Sequence, residues 1–244
     1  MRDRKGGAAA QGERGLPPGG RVFREHGEGL AIFLLYFLLA AGGLWNLLGW
    51  FQELMRLLAA PLLIALAILL AAIHARRQAA PRRALLSYAG VVVSSFLLEW
   101  LGVTTGKVFG PYRYGEVLQP QLFGVPLAIG FAWLGMLISA AAVADGLMQR
   151  LPGRSPWVQV VFTAVLMLVF DAVMEPAAVR LDYWHWQGNL IPPQNYVAWF
   201  LFSLFYSAAA WRLGLFRNGL PAFCRHAWLA QLFYFLLVRL GHPR

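Results

Sequence analysis

The sequence predicts an all-α membrane protein, a polytopic bundle of about seven transmembrane helices. Three observations carry that expectation. Hydrophobic residues fill 59% of the 244 positions and charged residues only 13%, roughly half the charged share of a soluble domain. The apolar residues gather into seven runs, 30–48, 57–75, 84–101, 123–144, 157–179, 196–216 and 222–240, each 18 to 23 residues long. A run of that length crosses a hydrocarbon core of roughly 30 Å at about 1.5 Å per residue. Finally, fifteen of the 21 Lys and Arg residues lie before the first run or in the even-numbered connections, and six lie on the opposite side. By the positive-inside rule the N-terminus is cytoplasmic and the C-terminus external. The formal charge of +10 therefore reads as a topology signal that touches anionic lipid, not as a nucleic-acid footprint. A soluble enzyme, a secreted disulfide scaffold and a separate globular domain are all excluded.

Taken in order, residues 1–29 are rich in Gly, Arg and Glu and are expected to form a disordered basic cytoplasmic tail, leaving 30–244 as one transmembrane domain. The first and second runs are joined by a tight turn at 49–56, and the second and third by a connection holding Arg76, Arg77, Arg82 and Arg83. Cys224, the single cysteine, permits no internal disulfide and reads as a packing residue.

The third and fifth runs are followed by longer, aromatic external connections, 102–122 and 180–195, which resemble each other. The first unit reads Glu99-Trp100, Tyr112-Arg113-Tyr114, Pro126 and Trp133. The second reads Glu175-Pro176, Trp184-His185-Trp186, Pro192-Pro193 and Trp199. Each has a carboxylate near the outer end of a span, an aromatic-x-aromatic loop, and a Pro opening the return span, where no intrahelical N–H is lost. Both units run in the same direction through the membrane, which makes this a parallel repeat.

The candidate chemistry lies in the acids. Asp171 precedes Arg180 by nine residues, about 13 Å of helix, and Glu175 follows on the same face one turn later. Glu99 ends the third run at a comparable depth. A carboxyl there costs several kcal/mol unless protonated or paired. Either these acids bridge helices by hydrogen bonds, or one donates a proton while an ionised neighbour acts as base. Tyr112, Tyr114, Trp133, Trp184, Trp186 and Trp199 read as an interfacial belt or as the wall of a pocket able to stabilise a cation. His185 is an interfacial hydrogen-bonder or a proton shuttle. The histidines are not clustered, so di-iron hydroxylation is excluded. Gly102-Val-Thr-Thr-Gly106-Lys107 is one residue short of a phosphate loop and lacks its Ser/Thr.

The set Glu99-Trp-Leu-Gly, Phe109-Gly-Pro-Tyr-Arg-Tyr114, Gly124-Val-Pro126, Asp171-x-x-x-Glu-Pro176, Trp184-x-Trp186 and Pro192-x-x-Asn195-x-x-x-Trp199 resembles a family of carotenoid-biosynthesis membrane proteins. That family includes carotenoid hydratases of the γ-carotene 1′-hydroxylase and bisanhydrobacterioruberin hydratase types. The likeness covers about 84–216. It implies a multi-pass protein of a prokaryotic cell membrane that adds water across the terminal trisubstituted C=C of an acyclic carotenoid, leaving a tertiary alcohol. It further implies a lipid-soluble carotenoid and water as substrates, with no cofactor and no metal. On that resemblance Glu175 or Asp171 is the general acid and Glu99 the partner carboxylate placing water. Tyr112, Trp184 and Trp186 form the cation-facing wall, while Arg113, Tyr114, Trp133, Asp182, His185, Asn195 and Trp199 complete the substrate site. Two other readings stay open: a different carotenoid end-group enzyme of the cyclase or elongase kind, and a proton-coupled transporter.

Overall fold

The computed structural model describes residues 18–149 and 155–241. Seven long helices build it: α1 Pro18–Leu48, α2 Gln52–Ala75, α3 Pro81–Thr105, α4 Leu127–Met148, α5 Pro156–Arg180, α6 Pro193–Arg212 and α7 Ala222–Leu240. Within α1, residues Gly27–Leu48, together with the whole of α2 to α5, are long and apolar enough to cross a membrane. Helices α6 and α7, of 20 and 19 residues, are shorter, and α7 carries the polar pair Arg225-His226 after its first three residues. Large side chains such as Leu57, Leu86 and Phe205 stand exposed on the outside of the bundle, as they do when lipid is the solvent.

The first helix begins at Pro18 rather than at residue 30, so the part of the expected disordered tail from 18 to 29 is helical; residues 1–17 lie outside the described residues. Once the apolar run has nucleated a helix, extending it through polar residues costs far less than starting one.

Helix α4 is the hub. Of its most apolar 18-residue window, 83% is buried, and α2, α3, α5 and α7 pack around it. Small residues make that possible, as in other membrane bundles. A Cβ on Gly130 would sit 2.5 Å from the Val92 carbonyl oxygen of α3. Gly130→Leu is therefore expected to lower stability by about 1–3 kcal/mol or more, read as an earlier thermal unfolding midpoint in detergent. Outside this hub, α1 packs on α7 and α6 on α5. At the end holding the Arg-rich connections, buried His74 ties α2 to its neighbours, contacting the Tyr88 hydroxyl at 2.8 Å and the Leu215 carbonyl at 2.9 Å. Cys224 is fully buried, in keeping with a packing role.

The opposite, aromatic end carries four short strands: β1 Tyr112–Tyr114, β2 Gln121–Leu122, β3 Val125–Pro126 and β4 Trp184–Trp186. β2 and β3 form a hairpin pairing Leu122 with Val125, which is why the fourth helix starts at Leu127 rather than at residue 123. The two aromatic-x-aromatic segments, read as loops from sequence, are strands paired antiparallel with each other. Tyr112 faces Trp186, Arg113 faces His185 and Tyr114 faces Trp184. The two sequence repeats thus meet as one ribbon across the top of the α3–α4 and α5–α6 hairpins.

Candidate active site

Glu99 lies one and a half turns before the end of α3 and is 5% exposed. Three residues later comes Gly102, and a Cβ there would meet the Phe109 ring at 2.8 Å and the Tyr112 hydroxyl at 3.2 Å. Its absence lets the chain fold back over the carboxylate. Side chains alternate along β1, so Tyr112 and Tyr114 turn inward and Arg113 outward. The Tyr112 hydroxyl donates to Glu99 Oε2 at 2.5 Å and the Tyr114 hydroxyl to the same oxygen at 2.9 Å. Trp133 of α4 donates its Nε1–H to Oε1 at 2.8 Å.

The second repeat makes the same arrangement. Glu175 is 2% exposed on α5. Trp184 and Trp186, the inward residues of β4, donate their Nε1–H groups to Glu175 Oε2 at 3.0 and 2.8 Å. Asn195 of α6 donates to Oε1 at 3.3 Å. Each carboxylate thus receives both aromatic donors of its own strand and one donor from its own return helix. Three hydrogen bonds offset the desolvation that an unpaired buried carboxyl would suffer.

Asp171 has no counterpart in the first repeat, where Ser95 occupies the place four residues before the glutamate. It is fully buried. Asn195 bridges the two acids of α5, donating to Asp171 Oδ2 at 3.1 Å as well as to Glu175. Asp171 Oδ1 has no hydrogen-bond partner among the described residues.

Both glutamates open on a cavity of about 70 Å³. Tyr112, Tyr114, Trp133, Trp184, Trp186, Asn195 and Trp199 line it, which brings together most of the residues singled out in the sequence. The rings of Trp133 and Trp199 stack at 4.1 Å between centroids, and Tyr112 lies 5.1 Å from Trp186 across the ribbon. These π faces surround the space between the two carboxyls, an arrangement suited to a transient cation. Burial first, and the Glu99 carboxylate second, push the Tyr112 and Tyr114 phenols well above their ordinary range. They stay protonated and act as fixed donors.

Four of the sequence candidates lie elsewhere. Asp171 sits behind Glu175, outside the cavity wall. Arg113 and His185 face each other on the outer side of the ribbon. Asp182 holds His185 Nε2 at 2.7 Å and Arg56 at 3.5 Å at the rim. The cavity also takes Leu63, Phe109, Met174, Tyr183 and Phe235. Of these, Phe109 in the Phe-Gly-Pro turn and Tyr183 among the aromatics of the second external connection carried a signal in the sequence; Leu63, Met174 and Phe235 are single apolar or aromatic residues on otherwise ordinary spans. Because Tyr114 supplies one of two donors to Glu99 Oε2 and Tyr112 keeps the other, Tyr114→Phe is expected to cost about 1 kcal/mol, the net worth of one hydrogen bond, again visible as a lower unfolding midpoint.

Comparison with known proteins adds two findings. The family described as "Carotenoid biosynthesis protein" matches residues 59–238, which include every residue of the cavity. The chain is also similar to the bisanhydrobacterioruberin hydratase of Haloarcula japonica, with 30% identity over 124 residues, 49% of this chain and 42% of that protein. The match thus spans less than half of that relative's length. No solved structure matches the chain.

Proposed function

Since the chain belongs to the carotenoid biosynthesis protein family, we propose that it is a carotenoid hydratase, adding water to the terminal double bond of an acyclic carotenoid end by acid catalysis. The observation that carries this reading is the pair of buried glutamates facing one aromatic cavity. In this reading the end group enters the space between the two glutamates, and the polyene lies in the surrounding bundle and lipid.

Glu175 is the acid in this reading. Asp171 and Glu175 share the Asn195 amide, and two carboxylates so placed do not both ionise. The pair therefore holds one proton, and Glu175 is the member that reaches the cavity. Glu99, held by three donors, is the carboxylate kept as base. Glu175 gives its proton to the less substituted carbon of the terminal double bond, whose π electrons form the new C–H bond. The other carbon becomes a tertiary cation among the Trp and Tyr faces. Water attacks that carbon and passes its extra proton to Glu99, leaving the tertiary alcohol. A proton shift from Glu99 to Glu175 restores the starting state, so the net change is addition of one water. Asp171, outside the cavity wall, shares the proton without touching substrate, and Asn195 positions the pair by donating to both carboxyls.

The membrane side of the site, external by the charge distribution, and a prokaryotic cell membrane as its location belong to the same proposal. The test is expression in a bacterial host accumulating an acyclic carotenoid. A product heavier by one water, formed without oxygen, supports hydration. An isomer of unchanged mass means cyclisation, which begins with the same protonation but keeps water out. Exchanging Trp186 for Phe removes one donor to Glu175 and keeps the aromatic wall; it is expected to slow product formation by roughly tenfold or more, the effect of losing a charge-directed hydrogen bond.

A further inference from the structure

Hydration needs water at the cation, yet the cavity between the glutamates is walled almost wholly by aromatic and aliphatic side chains, and the described oxygens of both glutamates already accept protein donors. A second cavity lies beside it at the aromatic end, between the α1–α2 turn and the ends of α5 and α7. It is larger, about 350 Å³, and polar, lined among others by Asn46, Gln52, Arg56, Arg180, Tyr183 and Tyr234. Arg180 keeps its inner wall in place by donating to the Arg239 and Gly241 carbonyls at the end of α7. The Arg56–Asp182 ion pair, with both side chains partly exposed, marks where its rim meets solvent.

The two cavities are one side chain apart. Tyr183 lines both. Of the neighbours Val117 and Leu118, the first faces the polar cavity and the second the aromatic one; Tyr234 and Phe235 divide in the same way. Tyr183 and Tyr234 line the polar cavity together, and Asn46 donates to the Tyr234 oxygen at 3.2 Å. A chain of polar heads thus runs from the rim to the partition, and the Tyr183 ring continues it to Trp184. Buried water persists where a space is roomy and offers two to four polar partners, and this cavity has both.

We propose that the polar cavity is a water vestibule and that Tyr183 is the partition through which the nucleophilic water reaches the aromatic cavity. This rests on the hydratase reading for its purpose, but the presence of water beside Tyr183 does not. Two measurements separate them. In the wild-type protein, hydroxyl-radical footprinting is expected to modify Tyr183 and Tyr234 several-fold faster than Tyr88 and Tyr206, which are buried to a similar degree away from the vestibule. Equal, slow modification of all four overturns the vestibule whatever the protein catalyses. Next, Val117→Trp and Val179→Trp, each filling the polar cavity from a different wall, are compared with wild type in the pigment-producing host. A cation deprived of water loses a proton from a neighbouring carbon to a carboxylate and returns as an alkene isomer. Both variants are expected to lower the ratio of alcohol to isomer by about tenfold, as when an ordered water is displaced by a group that cannot replace its hydrogen bonds. An unchanged ratio in variants that still bind pigment overturns the proposed route. A wild-type protein that makes no hydrated pigment overturns the hydratase reading instead, and the footprint still decides whether water occupies the vestibule.

Discussion

Glu175→Gln is expected to lower the formation of hydrated pigment by about 10²–10⁴-fold, the usual worth of a positioned proton donor. The side chain keeps its size and its amide oxygen can still accept from Trp184 and Trp186, while its NH₂ turns toward the Asn195 amide that donated to Oε1, so about 1–3 kcal/mol of stability is lost but the fold and pigment binding should survive. What is lost is the transferable proton. In deuterated water the unreacted carotenoid recovered from this variant should carry no deuterium at its terminal carbons, because the cation never forms. Deuterium incorporation at the wild-type rate would remove Glu175 from the acid's place and point to another donor.

Glu99→Gln should cause a comparable loss of alcohol by a different route. Glu99 accepts from two hydroxyls on one oxygen and from an indole N–H on the other. An amide in its place must turn its NH₂ toward one of those donors, so a loss of about 1–3 kcal/mol in stability accompanies the loss of activity. Protonation by Glu175 is intact in this variant, and the cation forms but finds no base to help water capture it. Carotenoid recovered from deuterated water is then expected to carry deuterium at the terminal carbons while alcohol is scarce. Absence of both deuterium and alcohol would assign Glu99 to protonation or to holding the cavity together, not to the base.

These assignments depend on features of unequal visibility in the sequence. The seven helices were legible because each apolar run is long enough to cross a bilayer and all but the fourth are bounded on at least one side by Arg, Pro or Gly. Glu99, Asp171 and Glu175 stood out because a carboxyl is costly inside such a run. The ribbon was not legible. Tyr112–Tyr114 and Trp184–Trp186 are three-residue strands, too short for periodicity to distinguish from loops, and their partners are remote in sequence. That one feature explains why Arg113 and His185 read as site residues yet face outward, since alternation applies only once the segments are extended. Asp171 and Glu175 share a helix face, as the spacing implies, but the depth of the cavity, which places Glu175 in its wall and Asp171 behind it, depends on how α6 packs. The early start of α1 was hidden for another reason: polar residues 18–29 carry no apolar stripe, and their helix propagates from the span that follows.

The repeat, legible as a spacing pattern, acquires a physical meaning in the structure. Each glutamate takes two donors from its own strand and one from its return helix, and only Glu175 has a second acid four positions earlier, Asp171 where the first repeat has Ser95. That asymmetry is what separates acid from base in the proposed mechanism.

The most direct test of the central claim is the origin of the product's oxygen. Purified protein given an acyclic carotenoid in detergent, under argon and in heavy-oxygen water, is expected to yield an alcohol that carries the heavy isotope and has gained the mass of one water. A product that forms only when oxygen is admitted, or an isomer that takes up no isotope, would contradict hydration by the two glutamates.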